Sequence, residues 1–171
     1  EKTSLDASDK IGITKDGQSR KATYYDHIRT LFSLYELDSD EQDIMRNLIF
    51  APQTGINARV FANWLKLRDM NTINDLVEKG VVQEKPFRDV ALHPMIQEVA
   101  ISETEPSVQS CRILLNSLQE TCLRHGDDVS YYKQMFQTID HIVELIEKDD
   151  MPTYLRFLED VFPYMEKYKY R

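Results

Sequence analysis

His93 is the residue of this chain best placed to act on an anion. It stands between Asp89-Val90-Ala91-Leu92, which reads as the end of a β-strand, and Pro94, which suits the first position of a helix. The first turn of a helix leaves backbone N–H groups without partners and carries the positive end of the helix dipole. A phosphate is favoured there, and an imidazole donor adds one more hydrogen bond. The plainer reading is a histidine that caps the helix it precedes. The chain has no Gly-x-x-x-x-Gly-Lys-Ser/Thr loop, no Gly-x-Gly-x-x-Gly turn and no acidic magnesium site after a buried strand. Any nucleotide that His93 touches must therefore be cradled by another domain.

Other reactive residue types form no catalytic or metal-binding set. His27, His125 and His141 fall in three separate segments without ligand spacing, and read as surface residues. Asp127-Asp128 and Asp149-Asp150 lie at expected helix boundaries, where carboxylates favour the following N-terminus. Cys111 and Cys122 are expected in one helix, eleven residues apart on one face. At ~1.5 Å per residue their Cα atoms would be roughly 16 Å apart, too far for a disulfide, so they read as reduced core thiols.

With 171 residues, 42% hydrophobic and 29% charged, the chain is expected to be globular, as one larger domain or two small ones. It opens on Glu1, shows no apolar signal segment and has no run near the ~20 apolar residues of a membrane span. The expectation is a soluble, cytoplasmic piece of something longer. The net charge of -8 is unevenly spread: residues 1–37 balance at six acids and six bases, residues 38–100 carry ten against seven, and residues 101–171 carry thirteen against eight. Neither acidic section offers the basic face that a nucleic-acid binder needs to release counterions.

The elements that must position His93 can be read from periodicity. Residues 1–22 are polar, with a short hairpin expected around Asp16-Gly17. Tyr24, Ile28, Leu31, Phe32 and Tyr35 share helical spacing, and Asp38 ends that helix. Ser39 and Gln42 form a capping-box pattern ahead of Ile44, Met45, Leu48 and Ile49, with Pro52 and Gly55 as the stop. Asn57 can cap a helix carrying Phe61 and Trp64, and Gly80 closes another built on Ile73, Leu76 and Val77. Two strand-like runs follow, residues 81–84 and 87–92, joined by Lys85-Pro86. Pro94 opens a helix with Met95, Ile96 and Val99, and Pro106 at N1 opens one that runs to Gly126. The remainder reads as a helical hairpin: Val129, Tyr132, Met135, Phe136, Ile139, Val143 and Ile146 form one stripe, and Tyr154, Leu155, Leu158, Val161, Phe162 and Met165 the other. The tyrosines at 154, 164, 168 and 170 offer a partner surface.

Particular residues carry a family resemblance: Leu48-Ile49-Phe50-Ala51-Pro52, Gly55-Ile56, Phe61-Ala62-Asn63-Trp64-Leu65, Ile73-Asn74-Asp75-Leu76-Val77-Glu78-Lys79-Gly80 and Leu92-His93-Pro94-Met95-Ile96-Gln97-Glu98-Val99. This stretch resembles the winged-helix region of bacterial STAND signalling ATPases, the NB-ARC and NLR-like class, in which Leu-His-Pro stands where plant members carry Met-His-Asp. The resemblance implies a mainly α fold: a winged helix with a three-helix core and two-stranded wing, followed by an α-helical bundle or helical-repeat-like hairpin. It implies a polar arm or hairpin at 1–22, the winged helix at 23–103 and a helical region, the start of tetratricopeptide-like repeats, at 104–171. His93 would contact the phosphate of ADP in the intact parent, and Pro94 replaces the acid of the plant motif, so no switching role passes to it. The fragment would be no enzyme and hold no cofactor, while the parent would bind ADP or ATP with magnesium and assemble into homo-oligomers on activation. Its partners would be the parent's nucleotide-binding domain and, through 104–171, a protein or further helical repeats. The alternatives are a DNA-binding winged-helix regulator reading through residues 71–79, and a helical protein-interaction scaffold.

Overall fold

A computed structural model describes residues 10–15, 18–23, 37–124 and 131–168. Strands β1 (Lys10–Lys15) and β2 (Gln18–Thr23) pair antiparallel, with Lys15 opposite Gln18. The expected hairpin is therefore present, its two-residue turn lying outside the described residues. So does the helix expected over 24–35.

Helix α1 (Ser39–Leu48) opens one residue earlier in its cap than the sequence pattern indicates. Asp38, not Ser39, is the N-cap: its carboxylate accepts the Glu41 N–H at 2.8 Å, and the Glu41 carboxylate accepts the Asp38 N–H at 3.0 Å. Gln42 instead donates to the Leu37 carbonyl at 2.9 Å. Glu41 is buried and also pairs with Lys79, so the same side chain caps α1 and ties it to the end of a later helix.

After α1 the chain turns through Pro52 and Gly55 into β3 (Ile56–Asn57), a strand too short to be read from alternation. Asn57 then caps α2 (Ala58–Trp64), accepting the N–H groups of Arg59 and Val60, and α3 (Asn71–Glu78) ends at Gly80 with φ +76. Strands β4 (Val82–Lys85) and β5 (Asp89–Leu92) are joined by a 3-10 turn, Pro86–Arg88, so Phe87 and Arg88 belong to the turn rather than to the expected second strand. Both take positive φ, which no strand residue can hold. β5 lies in the middle of a three-stranded antiparallel sheet ordered β3-β5-β4.

Beyond the sheet come α4 (Pro94–Thr104), α5 (Arg112–Arg124), α6 (Tyr132–Leu145) and α7 (Met151–Tyr168). Among the described residues the molecule is thus mainly helical, with one small three-stranded antiparallel sheet in addition to the hairpin. α5 does not start at Pro106. Ser107 bridges to Glu147, and the Ser107 hydroxyl accepts the Ser110 N–H at 3.1 Å, so residues 107–111 form turns before the helix begins. Cys111 consequently precedes the helix that carries Cys122; both thiols are free and buried.

The buried face of α7 is rotated from the expected stripe. Tyr154, Phe157, Val161 and Tyr164 are inside, while Leu155 and Phe162 are about half exposed. α7 runs closest to α5, and α6 meets it through the stacked pair Phe136–Tyr164, with ring centroids 6.0 Å apart. One continuous apolar core reaches from Leu37 to Tyr164, including Ile44, Phe61 and Ile73 on one side and Leu114, Leu118 and Phe157 on the other. It crosses the expected 103/104 boundary. Among the described residues no helix is long and apolar enough to cross a membrane.

Candidate functional site

His93 leaves the central strand β5 and becomes the N-cap of α4, with Pro94 at the first helical position. Its backbone is extended, and its carbonyl accepts the Gln97 N–H at 2.9 Å, the first helical bond. Its Nδ1 accepts the Met95 N–H at 3.2 Å. An Nδ1 used as acceptor leaves the proton of the neutral ring on Nε2, which has no hydrogen-bond partner among the described residues. The ring is half-buried.

This arrangement limits what the helix start can hold. Pro94 has no N–H, and the Met95 N–H is taken by the ring. Pro94 and the ring cap together leave this helix start with fewer donors than an open one. An anion here therefore calls for further groups from outside this site. The helix itself is held firmly. Near its start, Gln97 Nε2 donates to the Ile49 carbonyl at 2.6 Å; at its end, Arg46 Nε donates to the Thr104 carbonyl at 2.9 Å. Arg46 thereby places a cation at the negative end of the α4 dipole, and α1 grips α4 at both ends.

The remaining sequence candidates fall elsewhere. His141, expected at the surface, is half-buried, and its Nδ1 lies 3.0 Å from the Phe50 carbonyl, because the turn after α1 leaves that carbonyl facing α6. His27 and His125 lie outside the described residues, as do Asp127 and Asp128. Asp149 and Asp150 do serve helix and turn starts: Asp149 accepts the Gln109 N–H at 3.1 Å, and Asp150 accepts both the N–H (3.1 Å) and the hydroxyl (2.7 Å) of Thr153 at the start of α7. Burial pushes the Cys111 thiol up to about 11 and the Cys122 thiol up to about 12. Burial thus disfavours the thiolate form of both. Among the described residues no group of three His, Cys, Asp or Glu side chains could hold a metal ion.

α3, the helix a DNA reader would use, exposes Asp75 and Glu78. Lys79, which follows it, is engaged by Glu41, and that hydrogen bond raises its pKa above the ordinary lysine value.

Two features escaped the sequence reading. Phe87 is 93% exposed at the tip of the β4–β5 turn, between Lys85 and Arg88 and with φ +64. Pro86 was the local signal for a turn there, but an aromatic flanked by alternating residues also fits a strand. The turn is braced from behind by Gln134 of α6, whose Oε1 accepts the Asn57 N–H at 3.2 Å and whose Nε2 donates to Asp89 at 3.0 Å. Such a brace joins residues 77 and 45 positions apart and leaves no local trace. No protein-family model matches this chain, and neither does any curated protein or solved structure.

Proposed function

We propose that this chain is the regulatory part of a STAND-type signalling ATPase, a winged helix that closes on the parent's nucleotide-binding domain and continues into a helical interaction region. The observation that carries the reading is the position of His93. It follows the central strand, caps α4, and keeps an Nε2 donor with no partner among the described residues, on a helix that α1 pins at both ends. The order helix, strand, helix, helix, strand, turn, strand, with the sheet arranged β3-β5-β4, supports a winged helix, with the Phe87 turn as its wing. Because Pro94 and the ring cap leave this helix start short of donors, ADP or ATP with magnesium would be bound by the parent's other domain, and His93 would report its phosphate. Closing would be a two-state domain contact that the nucleotide biases.

The test is His93→Ala in the intact parent. A hydrogen bond to a charged phosphate is worth roughly 1.5–3 kcal/mol, so ADP should leave about ten to a hundredfold faster and oligomers should form without stimulus. An unchanged ADP off-rate with an unchanged oligomer distribution would sink the reading. A second reading, DNA binding, draws on one feature, the exposed Phe87 between Lys85 and Arg88. The acids on α3 and the engagement of Lys79 oppose it. Salt-sensitive retardation of a random duplex would favour it over the first.

A further inference from the structure

The turn between β4 and β5 holds two strained residues side by side. Phe87 and Arg88 take φ +64 and +62, the left-handed region that suits glycine or asparagine and in which a bulky residue is an outlier. Neither side chain packs into the fold in return. Phe87 is 93% exposed, and Arg88 is exposed and has no hydrogen-bond or ion-pair partner among the described residues. A strained position filled by side chains that the fold does not use points to a contact made outside the molecule.

The turn is held in place from below. The Asp89 N–H donates to the Pro86 carbonyl across it, and Gln134 ties Asn57 of β3 to the Asp89 carboxylate at its foot. The ring therefore stands at the end of a braced hairpin, and little ordering remains when it is buried.

The charges around the ring run against those of the chain. The net charge is -8, yet Lys85 and Arg88 flank Phe87, and Arg59 at the start of α2 lines one cavity with Arg88. None of the three cations has a partner among the described residues. Glu84 lines that cavity as well, while the carboxylate of Asp89 accepts from Gln134 at 3.0 Å. A charged surface is felt over about 8–10 Å at ordinary ionic strength, so the residues of the tip decide what it attracts.

We propose that this turn is a membrane-surface anchor. Phe87 enters the boundary between headgroups and acyl chains of an anionic bilayer, and Lys85, Arg88 and Arg59 meet the lipid phosphates and carboxylates. A stable protein interface needs about 800 Å² from each partner around an apolar core, which one ring among cations does not supply. A soft layer closes around a single ring, and the ring and the cations together give weak, reversible binding.

Co-sedimentation with two kinds of vesicle tests this: pure phosphatidylcholine, and phosphatidylcholine mixed with phosphatidylserine in equal parts. The chain should bind the mixed vesicles alone, and added salt should release it. Phe87→Gly should weaken that binding about ten to a hundredfold, while its urea midpoint stays level or rises because glycine relieves the strain. Phe87→Trp should retain binding, with an emission shift to the blue on adding mixed vesicles. Lys85→Glu with Arg88→Glu should abolish it. Absence of binding, equal binding to both vesicles, or full binding by Phe87→Gly would each overturn the proposal. So would a lowered midpoint in Phe87→Gly, which would make the ring a structural residue. Phe87-dependent binding to a single-stranded oligonucleotide, with mixed vesicles ignored, would overturn it by assigning the tip to base stacking.

Discussion

At Gly55 a single hydrogen atom sets the position of a strand. Its φ of +103 lies where side chains are rarely accommodated, and a Cβ built on it would fall 2.8 Å from the Cβ of Asp89. The close approach lets Ile56 and Asn57 pair with Val90 and Asp89, which brings Asn57 within reach of Gln134. Gly55→Ala should therefore cost about 1–3 kcal/mol by forcing a strained backbone and pushing β3 from β5. A urea midpoint unchanged from that of the parent chain would mean that β3 does not approach β5 this closely. The sequence reading took Gly55 as a helix stop only, since a glycine shows the need for freedom and not the neighbour that imposes it. His93 was more legible. Its place before Pro94 implied a capping role, and the Met95 N–H to Nδ1 bond realises it. What could not be read was the grip on α4 by Arg46 and Gln97, made across 58 and 48 residues.

Helix starts show how a pattern fixes an element to within a residue and leaves the choice between neighbours to tertiary contacts. Asp38-Glu41 and Ser39-Gln42 both satisfy the capping-box spacing. Glu41 prevails because burial against Lys79 holds its carboxylate over the helix end, whereas Gln42 points outward to the Leu37 carbonyl. Asp38→Ala should cost about 1 kcal/mol and Ser39→Ala only a few tenths, measured by thermal or urea unfolding; the reverse order would restore Ser39 as the cap. At α7 the cap carries a charge that can be titrated. The two hydrogen bonds from Thr153, hydroxyl first and N–H second, hold the Asp150 carboxyl below its ordinary value, with Arg112 assisting. A carboxylate depressed in the folded state contributes stability above its unfolded pKa, near 3.9, and loses it as pH falls through the lower folded value. Asp150→Asn keeps an acceptor without the charge, so its unfolding midpoint should fall less steeply than the parent's below about pH 4. Identical acid limbs would remove Asp150 as a contributor. The face of α7 was the least legible part of this element. Leu155 and Phe162 are as apolar as Phe157, and only packing against α5 decides which row goes inside.

On the scale of the whole molecule, the core determines whether the chain behaves as one body or two. A split near residue 103 would be natural if a three-helix unit buried its own surface, but the apolar cluster continues through it, from Ile44 and Phe61 to Leu115, Ile139 and Phe157. Polar contacts cross with it. Ser117 of α5 donates to the Trp64 carbonyl at 2.6 Å, Gln134 braces β3 and β5, and His141 meets Phe50. Removing residues 104–171 would expose the undersides of α2 and the sheet, so the two parts should unfold together. Trp64, buried at the junction and the single tryptophan, reports the first part by fluorescence, while helical circular dichroism reports both. The two midpoints should coincide. Phe157→Ala, a change wholly within α7, should lower both equally, by about 3–5 kcal/mol of stability. If Trp64 kept its midpoint while the helical signal fell, the first part would be folding on its own. The continuous core would then be a contact between domains, and the chain would carry a hinge where we place none.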